Sequence, residues 1–144
     1  MEVREVDVGQ TAVAAAALLE LRPAFGSMKA LVARVDDVLR AGGYRLVASF
    51  DAGASDAAAV AGFRVEDKLS WGRHLYVDDL VTRAECRGRG HADALFEWLD
   101  AEATRTGCGE LHLDSGVVPE RADAHRFYFR HRLRISAYHF ARDL

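Results

Sequence analysis

Cysteine is scarce in this sequence, which has only Cys86 and Cys108 among 144 residues. Two cysteines are too few for a disulfide scaffold, and the absence of a CxxC pair argues against zinc or thiol redox chemistry. The six histidines form no HxH or HxxxH pair of the kind that binds metal. We therefore expect two free thiols and no metal site.

The chain also lacks a strong excess of one charge and a long apolar run. Its formal net charge is −3, which gives no overall attraction to nucleic acid or to an anionic membrane. No apolar run approaches the length of a bilayer, and residues 1–10 have neither the basic nor the apolar region of a signal peptide. These absences predict a soluble, cytoplasmic protein without a nucleic-acid or membrane partner.

What the chain does have is the composition of a globular domain, with 50% hydrophobic and 28% charged residues. A second core would leave each half too small to bury enough surface, so we expect one domain over residues 1–144. Hydrophobic periodicity and turn residues predict the order β-α-α-β-β-β-α-β-α-β, which indicates an α/β (α+β) fold with one mixed sheet and helices on its faces. In chain order, these elements are predicted at 1–8, 10–21, 27–42, 44–50, 57–65, 74–82, 92–107, 110–114, 121–131 and 134–140.

Two of these elements enclose a glycine-rich turn. The strand at 74–82 is apolar enough to be buried on both faces, so we expect it at the centre of the sheet. The helix that follows presents Leu95, Phe96 and Leu99 on one face. Glycines between a strand and a helix let the backbone approach a ligand, and the first helical N–H groups point at an anion in front of them.

The turn reads Arg87-Gly88-Arg89-Gly90-His91-Ala92. It lacks the GxxxxGK[ST] and GxGxxG patterns of common nucleotide loops, and a single RGRG copy without a basic patch does not indicate an RNA-binding tract. The sequence resembles the GNAT superfamily of N-acetyltransferases, whose signature Gln/Arg-x-x-Gly-x-Gly/Ala stands at this strand-to-helix turn. The order of elements over most of the chain is similar as well.

The resemblance implies an enzyme that transfers an acetyl group from acetyl-CoA, its cosubstrate, to a primary amine of a small molecule or a protein. Backbone N–H groups of the turn would hold the coenzyme pyrophosphate, with Arg87 and Arg89 adding charged donors. Leu80, Val81 and Thr82 would pair with the pantetheine arm. A strand at 111–115 would splay away to open a slot for the thioester, with Ser115 at its exit.

The resemblance also suggests a catalytic acid. Residues 124–128, AHRFY, look like the family's segment that places a tyrosine near the coenzyme sulfur, so Tyr128 would protonate the leaving thiolate. The alternative is that Tyr128 is a core aromatic. This chain departs from the family pattern at Arg121, where Asn is frequent, and at Arg132-Leu133, where Gly-Phe is common.

Asp78 and Asp79 are the candidate bases for the amine proton. Successive strand residues face opposite sides, so we expect only one of them to face the slot. For either carboxylate the alternative is an ion pair with Arg64 or Arg73.

The acceptor amine is not determined by the sequence. The resemblance implies that the acceptor is recognised by the loop after the first helix and by the segment before the central strand. Phe25 and Trp71 are predicted to wall an apolar pocket there, and Arg22 to meet an acidic group on the substrate. A homodimer is neither indicated nor excluded.

Two other functional classes stay open at this point. One is a non-catalytic module of the same fold that binds an acyl-CoA as a sensor. The other is a nucleotide-binding regulatory domain, which rests on the glycine turn alone.

Overall fold

The computed structural model describes all residues, 1–144, and divides them into two compact units, Met1–His112 and Leu113–Leu144. The first unit contains most of a five-stranded sheet in the order β1-β2-β3-β4-β5. The elements are β1 (Glu2–Val6), α1 (Ala12–Leu21), α2 (Met28–Arg34), β2 (Arg45–Phe50), β3 (Ala59–Lys68), β4 (Gly72–Thr82), α3 (His91–Arg105), β5 (Glu110–Leu113) and α4 (Ala122–Arg130).

The sheet is mixed, as predicted. Strands β1 to β4 pair in antiparallel fashion, whereas β5 follows β4 through helix α3, a crossover of the kind that joins parallel strands. The expectation that the strand at 74–82 is the central one is wrong by one position, since β3 is the middle strand of five. Strand β3 is in the middle because it forms one hairpin with β2 and another with β4.

The second helix follows its sequence signals closely. The hydroxyl of Ser27 caps it by accepting a hydrogen bond from Ala30 N at 3.1 Å. The helix continues beyond α2 as a π-helical turn at Val35–Leu39 and a 3-10 turn at Arg40–Gly42. Gly43, with a φ of 88°, then ends it in the left-handed conformation that glycine tolerates.

The core of the first unit lies between α1, α2 and one face of the sheet. Its fully buried members include Val6, Ala14, Leu46 and Val60. The opposite face packs under α3, through Phe63, Leu95, Phe96 and Leu99. None of the helices combines the length and the apolar character that a membrane crossing requires.

The second unit contains α4 and a C-terminal segment without regular secondary structure. The strand predicted at 134–140 is therefore absent, and the order of elements ends at α4. The apolar residues that suggested this strand, Ile135, Tyr138 and Phe140, are at least three-quarters exposed. An apolar alternation makes a strand only where a neighbouring strand satisfies its backbone, and residues 134–140 have no such partner.

Candidate functional site

The turn between β4 and α3 has an open cradle in front of its backbone. Gly88 and Gly90 have φ values of 74° and 85°, a left-handed region that other residues seldom adopt. A Cβ atom added to either glycine would meet no atom within 4 Å. The backbone of this turn can therefore be approached closely by a ligand.

Helix α3 presents an uncapped N-terminus to that cradle. The N-cap residue is Gly90, which has no side chain to accept a hydrogen bond from the first turn. Since the first N–H groups of a helix have no carbonyl partner within it, they are free to bind an anion. The 15-residue length of α3 aligns enough peptide dipoles to favour negative charge at this end. The turn thus has the donors and the space that a pyrophosphate requires.

The two arginines of the turn have different roles. Arg89 is bound within the protein, since it donates to Asp51 Oδ2 at 3.0 Å and to the Glu85 carbonyl at 2.7 Å. Arg87 is exposed and makes no hydrogen bond or ion pair. Of the two, Arg87 is therefore the guanidinium available to a phosphate, whereas Arg89 shapes the loop.

The first residue of α3 is anchored to the end of β2. The His91 ring is 1% exposed, with Nδ1 2.8 Å from Ser49 Oγ and Nε2 3.2 Å from Asp51 Oδ1. Asp51 therefore binds both Arg89 and His91, on either side of Gly90. We call Ser49, Asp51, Arg89 and His91 the loop clamp.

The segment Leu80–Thr82 lies at the end of β4 that leads into the turn. One edge of this segment pairs with Ala59–Ala61 of β3. Strand β5 has only four residues against eleven in β4, and it begins beside Arg73, whose carbonyl accepts from Gly109 N at 2.9 Å. Both strands of a parallel pair advance by about 3.3 Å per residue. A four-residue strand that begins beside Arg73 therefore ends before it reaches Leu80.

A β-bulge separates the two predicted carboxylates. Gly62 pairs with Asp79 and Phe63 pairs with Val77, so Asp78 is the extra residue on β4. Strict alternation of side chains stops at such a bulge, which removes the basis for expecting that only one carboxylate faces the slot. Asp78 forms an ion pair with Arg64 at 2.9 Å, one of the two partners considered from the sequence. Burial raises the pKa of the Asp78 carboxyl, and Arg64 opposes this in part.

Asp79 accepts three hydrogen bonds within the protein. Arg22 donates to Asp79 Oδ1 from Nε at 2.9 Å and from Nη2 at 2.8 Å. The Tyr44 hydroxyl donates to Asp79 Oδ2 at 2.8 Å. Burial, followed by the charge of Asp79, raises the pKa of Tyr44, so this hydroxyl stays protonated and donates. Gly62 makes room for it, since a Cβ there would lie 1.9 Å from the Tyr44 oxygen.

A pocket of about 140 Å³ opens beside Asp79. Its walls are mainly apolar side chains of α1, α2 and the turns that follow each helix. The lining residues are Leu18, Arg22, Phe25, Leu31, Arg34, Val35, Leu39, Tyr44 and Asp79. The structure thus brings together Arg22, Phe25 and Asp79, three of the residues singled out in the sequence.

Trp71 does not line this pocket. It lies in the β3–β4 hairpin turn, eight residues before Asp79, where its ring stacks on His112 with centroids 3.7 Å apart and the Lys68 ammonium lies over it. Eight residues of extended strand span about 26 Å, so Trp71 and Phe25 do not form one wall. Arg22 lines the pocket, and a carboxylate of the protein, Asp79, already balances its charge.

In the second unit, Tyr128 is 9% exposed on α4. Arg121 Nη2 lies 3.5 Å from its hydroxyl, so the departure from the family's Asn brings a cation next to this tyrosine. Burial raises the pKa of Tyr128, and Arg121 partly opposes this. Ser115 lies 3.0 Å from Nε2 of His125, which also donates to the Gly116 carbonyl at 2.8 Å. The helix α4 is thereby tied to the segment that contains Ser115.

Sequence reasoning missed several residues of these sites. His91 was interpreted only through its backbone, and Ser49, Asp51, Tyr44 and Arg34 were not singled out. No local signal distinguishes them, because each acquires its contact from a segment distant in sequence. Gly62 is the exception, because an isolated glycine inside a strand often marks a β-bulge or a place where another group approaches the backbone closely.

Comparisons with known proteins identify the family of this chain. The model of the Acetyltransferase (GNAT) family matches residues 16–132. An uncharacterized N-acetyltransferase, YhdJ of Bacillus subtilis strain 168, is 44% identical over 57 residues, which is 40% of this chain and 39% of that protein. The matched region therefore spans well under half of the length of this relative.

Solved structures share the fold over nearly the whole chain. A ribosomal-protein-alanine N-acetyltransferase from Brucella melitensis biovar Abortus 2308 superimposes with a TM-score of 0.83 at 17% identity, covering all of both chains. The aminoglycoside N-acetyltransferase AAC(6')-Iy, in complex with CoA, gives a TM-score of 0.81 at 17% identity, covering 99% of this chain and 93% of that one. With a family model that matches most of its length, this chain belongs to the GNAT acetyltransferase family.

Proposed function

We propose that this protein transfers an acetyl group from acetyl-CoA to a primary amine by direct attack of the amine on the thioester. The observation that carries the proposal is the open, uncapped N-terminus of α3 behind two left-handed glycines, in a chain that belongs to an acetyltransferase family. The coenzyme would supply the activated acetyl group. The residues of this chain would hold the coenzyme, position the amine and move its proton.

For binding, the N–H groups of Arg89, Gly90, His91 and Ala92 would hold the pyrophosphate, with Arg87 as a mobile counter-charge. The backbone of Leu80–Thr82 would bind the pantetheine arm at the edge of β4. Gly88 contributes the turn geometry. Ser115 would line the exit of the slot.

For the leaving group, Tyr128 would be the general acid. Its raised pKa favours this role, because a phenol must be protonated before it can donate. Arg121 beside the hydroxyl would stabilise the phenolate after the proton has left.

For the amine proton, we assign the base to Asp78 in preference to Asp79. Three of the four lone pairs of Asp79 already accept hydrogen bonds from Arg22 and Tyr44, which leaves one for an amine proton. Asp78 has a raised pKa and a hydrogen bond from Arg64 to Oδ2 only. A carboxylate with a higher pKa is the stronger proton acceptor.

The pocket beside Asp79 would bind the acceptor. Arg22 and Phe25 belong to its lining, so both residues keep a substrate-binding role in the proposal. Arg22 acts there by holding Asp79 in place.

The first experiment is a thermal-shift titration with acetyl-CoA, ATP and NAD, followed by an amine panel assayed for released thiol. At about 100 times its dissociation constant, a ligand that binds only the folded state adds roughly 2.7 kcal/mol of stability. We expect a clear rise of the melting temperature with acetyl-CoA and little change with either nucleotide. A response to ATP or NAD alone would refute the coenzyme assignment, whereas acetyl-CoA binding without turnover of any amine would support a non-catalytic acyl-CoA sensor.

A further inference from the structure

The pocket beside Asp79 contains one cation that nothing in the protein neutralises. Arg34, the last residue of α2, lines the pocket and is exposed, and it forms no hydrogen bond or ion pair. The nearby carboxylate of Asp36 is engaged with Thr11 and Arg40. Asp37, three residues along the helix, forms no ion pair with Arg34.

The second arginine of the pocket, Arg22, already has a carboxylate partner. Two nitrogens of Arg22 contact the same oxygen of Asp79, so these two charges compensate each other. With Arg22 and Asp79 paired, the lining has a net charge of +1, which Arg34 provides. A bound molecule would meet an apolar cavity with a positive charge at its edge.

The size and walls of the cavity restrict the apolar part of that molecule. Five lining residues are aliphatic or aromatic hydrocarbons: Leu18, Phe25, Leu31, Val35 and Leu39. A cavity of roughly 150 Å³ with such walls accommodates a benzene ring, and this one has about 140 Å³. A phenyl or branched aliphatic group matches this space.

We propose that the acceptor is a small primary amine that carries one apolar group of this size and one carboxylate, and that Arg34 recognises the carboxylate. The inference rests on the proposed acetyl transfer and narrows its substrate class. An arginine binds a carboxylate with charge-assisted, often bidentate, hydrogen bonds. Apolar α-amino acids have this combination of groups.

The test compares matched amines that differ only in the carboxylate. Phenylalanine is paired with phenethylamine, and leucine with 3-methylbutylamine, in steady-state assays at saturating acetyl-CoA. We expect kcat/KM to favour the carboxylate member of each pair by about tenfold or more, as expected for a hydrogen bond between charged groups. In Arg34→Gln this preference should fall to less than about threefold, through KM for the amine that carries the carboxylate.

Lys29→Gln is the matched control, because it removes a cation from the same helix outside the pocket. This variant should keep the preference of the parent. Acetyl-CoA affinity, measured by calorimetry for all three proteins, should be equal. If both members of each pair react equally well in the parent, or if Arg34→Gln keeps the preference, the inference is wrong while acetyl transfer stands. If acetyl-CoA binds but no amine reacts, the proposed function fails and the inference with it.

Discussion

Asp51 Oδ1 lies 3.2 Å from His91 Nε2, which links the end of β2 to the first residue of α3. The other oxygen of the same carboxylate lies 3.0 Å from Arg89 Nη1. Because an ionised carboxylate only accepts hydrogen bonds, Nε2 of His91 donates to Asp51, while Nδ1 lies 2.8 Å from the Ser49 hydroxyl. One acidic side chain thus positions both neighbours of Gly90, at the turn where we expect the pyrophosphate to bind.

Asp51→Asn should therefore weaken coenzyme binding, while the variant remains folded. The amide retains the shape but weakens two hydrogen bonds to the clamp, which predicts a loss of about 1–2 kcal/mol of stability. We expect the Kd for acetyl-CoA to rise by about fivefold or more, measured by calorimetry, with kcat at saturating coenzyme nearly unchanged. Asp56→Asn is the control, since Asp56 is an exposed acid of the same loop. Equal affinities in the two variants would show that the clamp does not position the turn.

Gly90→Glu should abolish acetyl-CoA binding while the protein still folds. The new carboxylate would lie at the positive end of α3, in the place assigned to the pyrophosphate. A side chain at a φ of 85° also costs roughly 1–2 kcal/mol. Gly90→Ala separates the two effects, because it has the strain without the charge. We expect a loss of more than 100-fold in affinity for Glu and a much smaller loss for Ala. Tight binding by a folded Gly90→Glu protein would mean that the turn is only structural.

Tyr128→Phe should lower kcat by about 100-fold and leave the Kd for acetyl-CoA nearly unchanged. A neutral thioester is a weak acceptor, so the phenol contributes little until negative charge develops on the departing sulfur. The raised pKa of Tyr128 has a further consequence. The phenol loses its proton only at a pH above its ordinary value near 10, so no loss of kcat below that pH should arise from its ionisation. An unchanged kcat in the variant, with a lower melting temperature, would mean that Tyr128 is a core aromatic residue and not the general acid.

Arg132→Gly should stabilise the protein. Arg132 has a φ of 65°, the only positive value outside glycine, and it follows α4 in a Schellman motif in which Leu133 N donates to the Tyr128 carbonyl at 3.0 Å. Glycine adopts this conformation without strain, which predicts a gain of about 1 kcal/mol and a melting temperature about 4 °C higher. Arg132→Ala is the control, since it removes the charge and keeps the strain. If Ala stabilises as much as Gly, the effect comes from the charge.

Much of the fold could be predicted because its signals are local. Ser27 and Gly43 mark the ends of the second helix, and the alternation of apolar residues marks β2, β3 and β4 within a few residues. The prediction of the last strand was wrong because its formation depends on a signal that is not local. Residues 134–140 have an apolar pattern, but a strand also needs a partner, and partners are not visible in a local pattern.

The sequence by itself determined the glycine turn and its position before an amphipathic helix, because the left-handed conformations at Gly88 and Gly90 are ones that glycine adopts without strain. It also determined which acids and arginines were available near the centre of the sheet. Only the tertiary structure decided how they pair: the bulge opposite Gly62 interrupts the alternation, Asp79 binds Arg22 and Tyr44, and Arg34 is left without a partner. The reason is physical, since an ion pair or a pocket depends on distances between side chains that lie far apart along the chain.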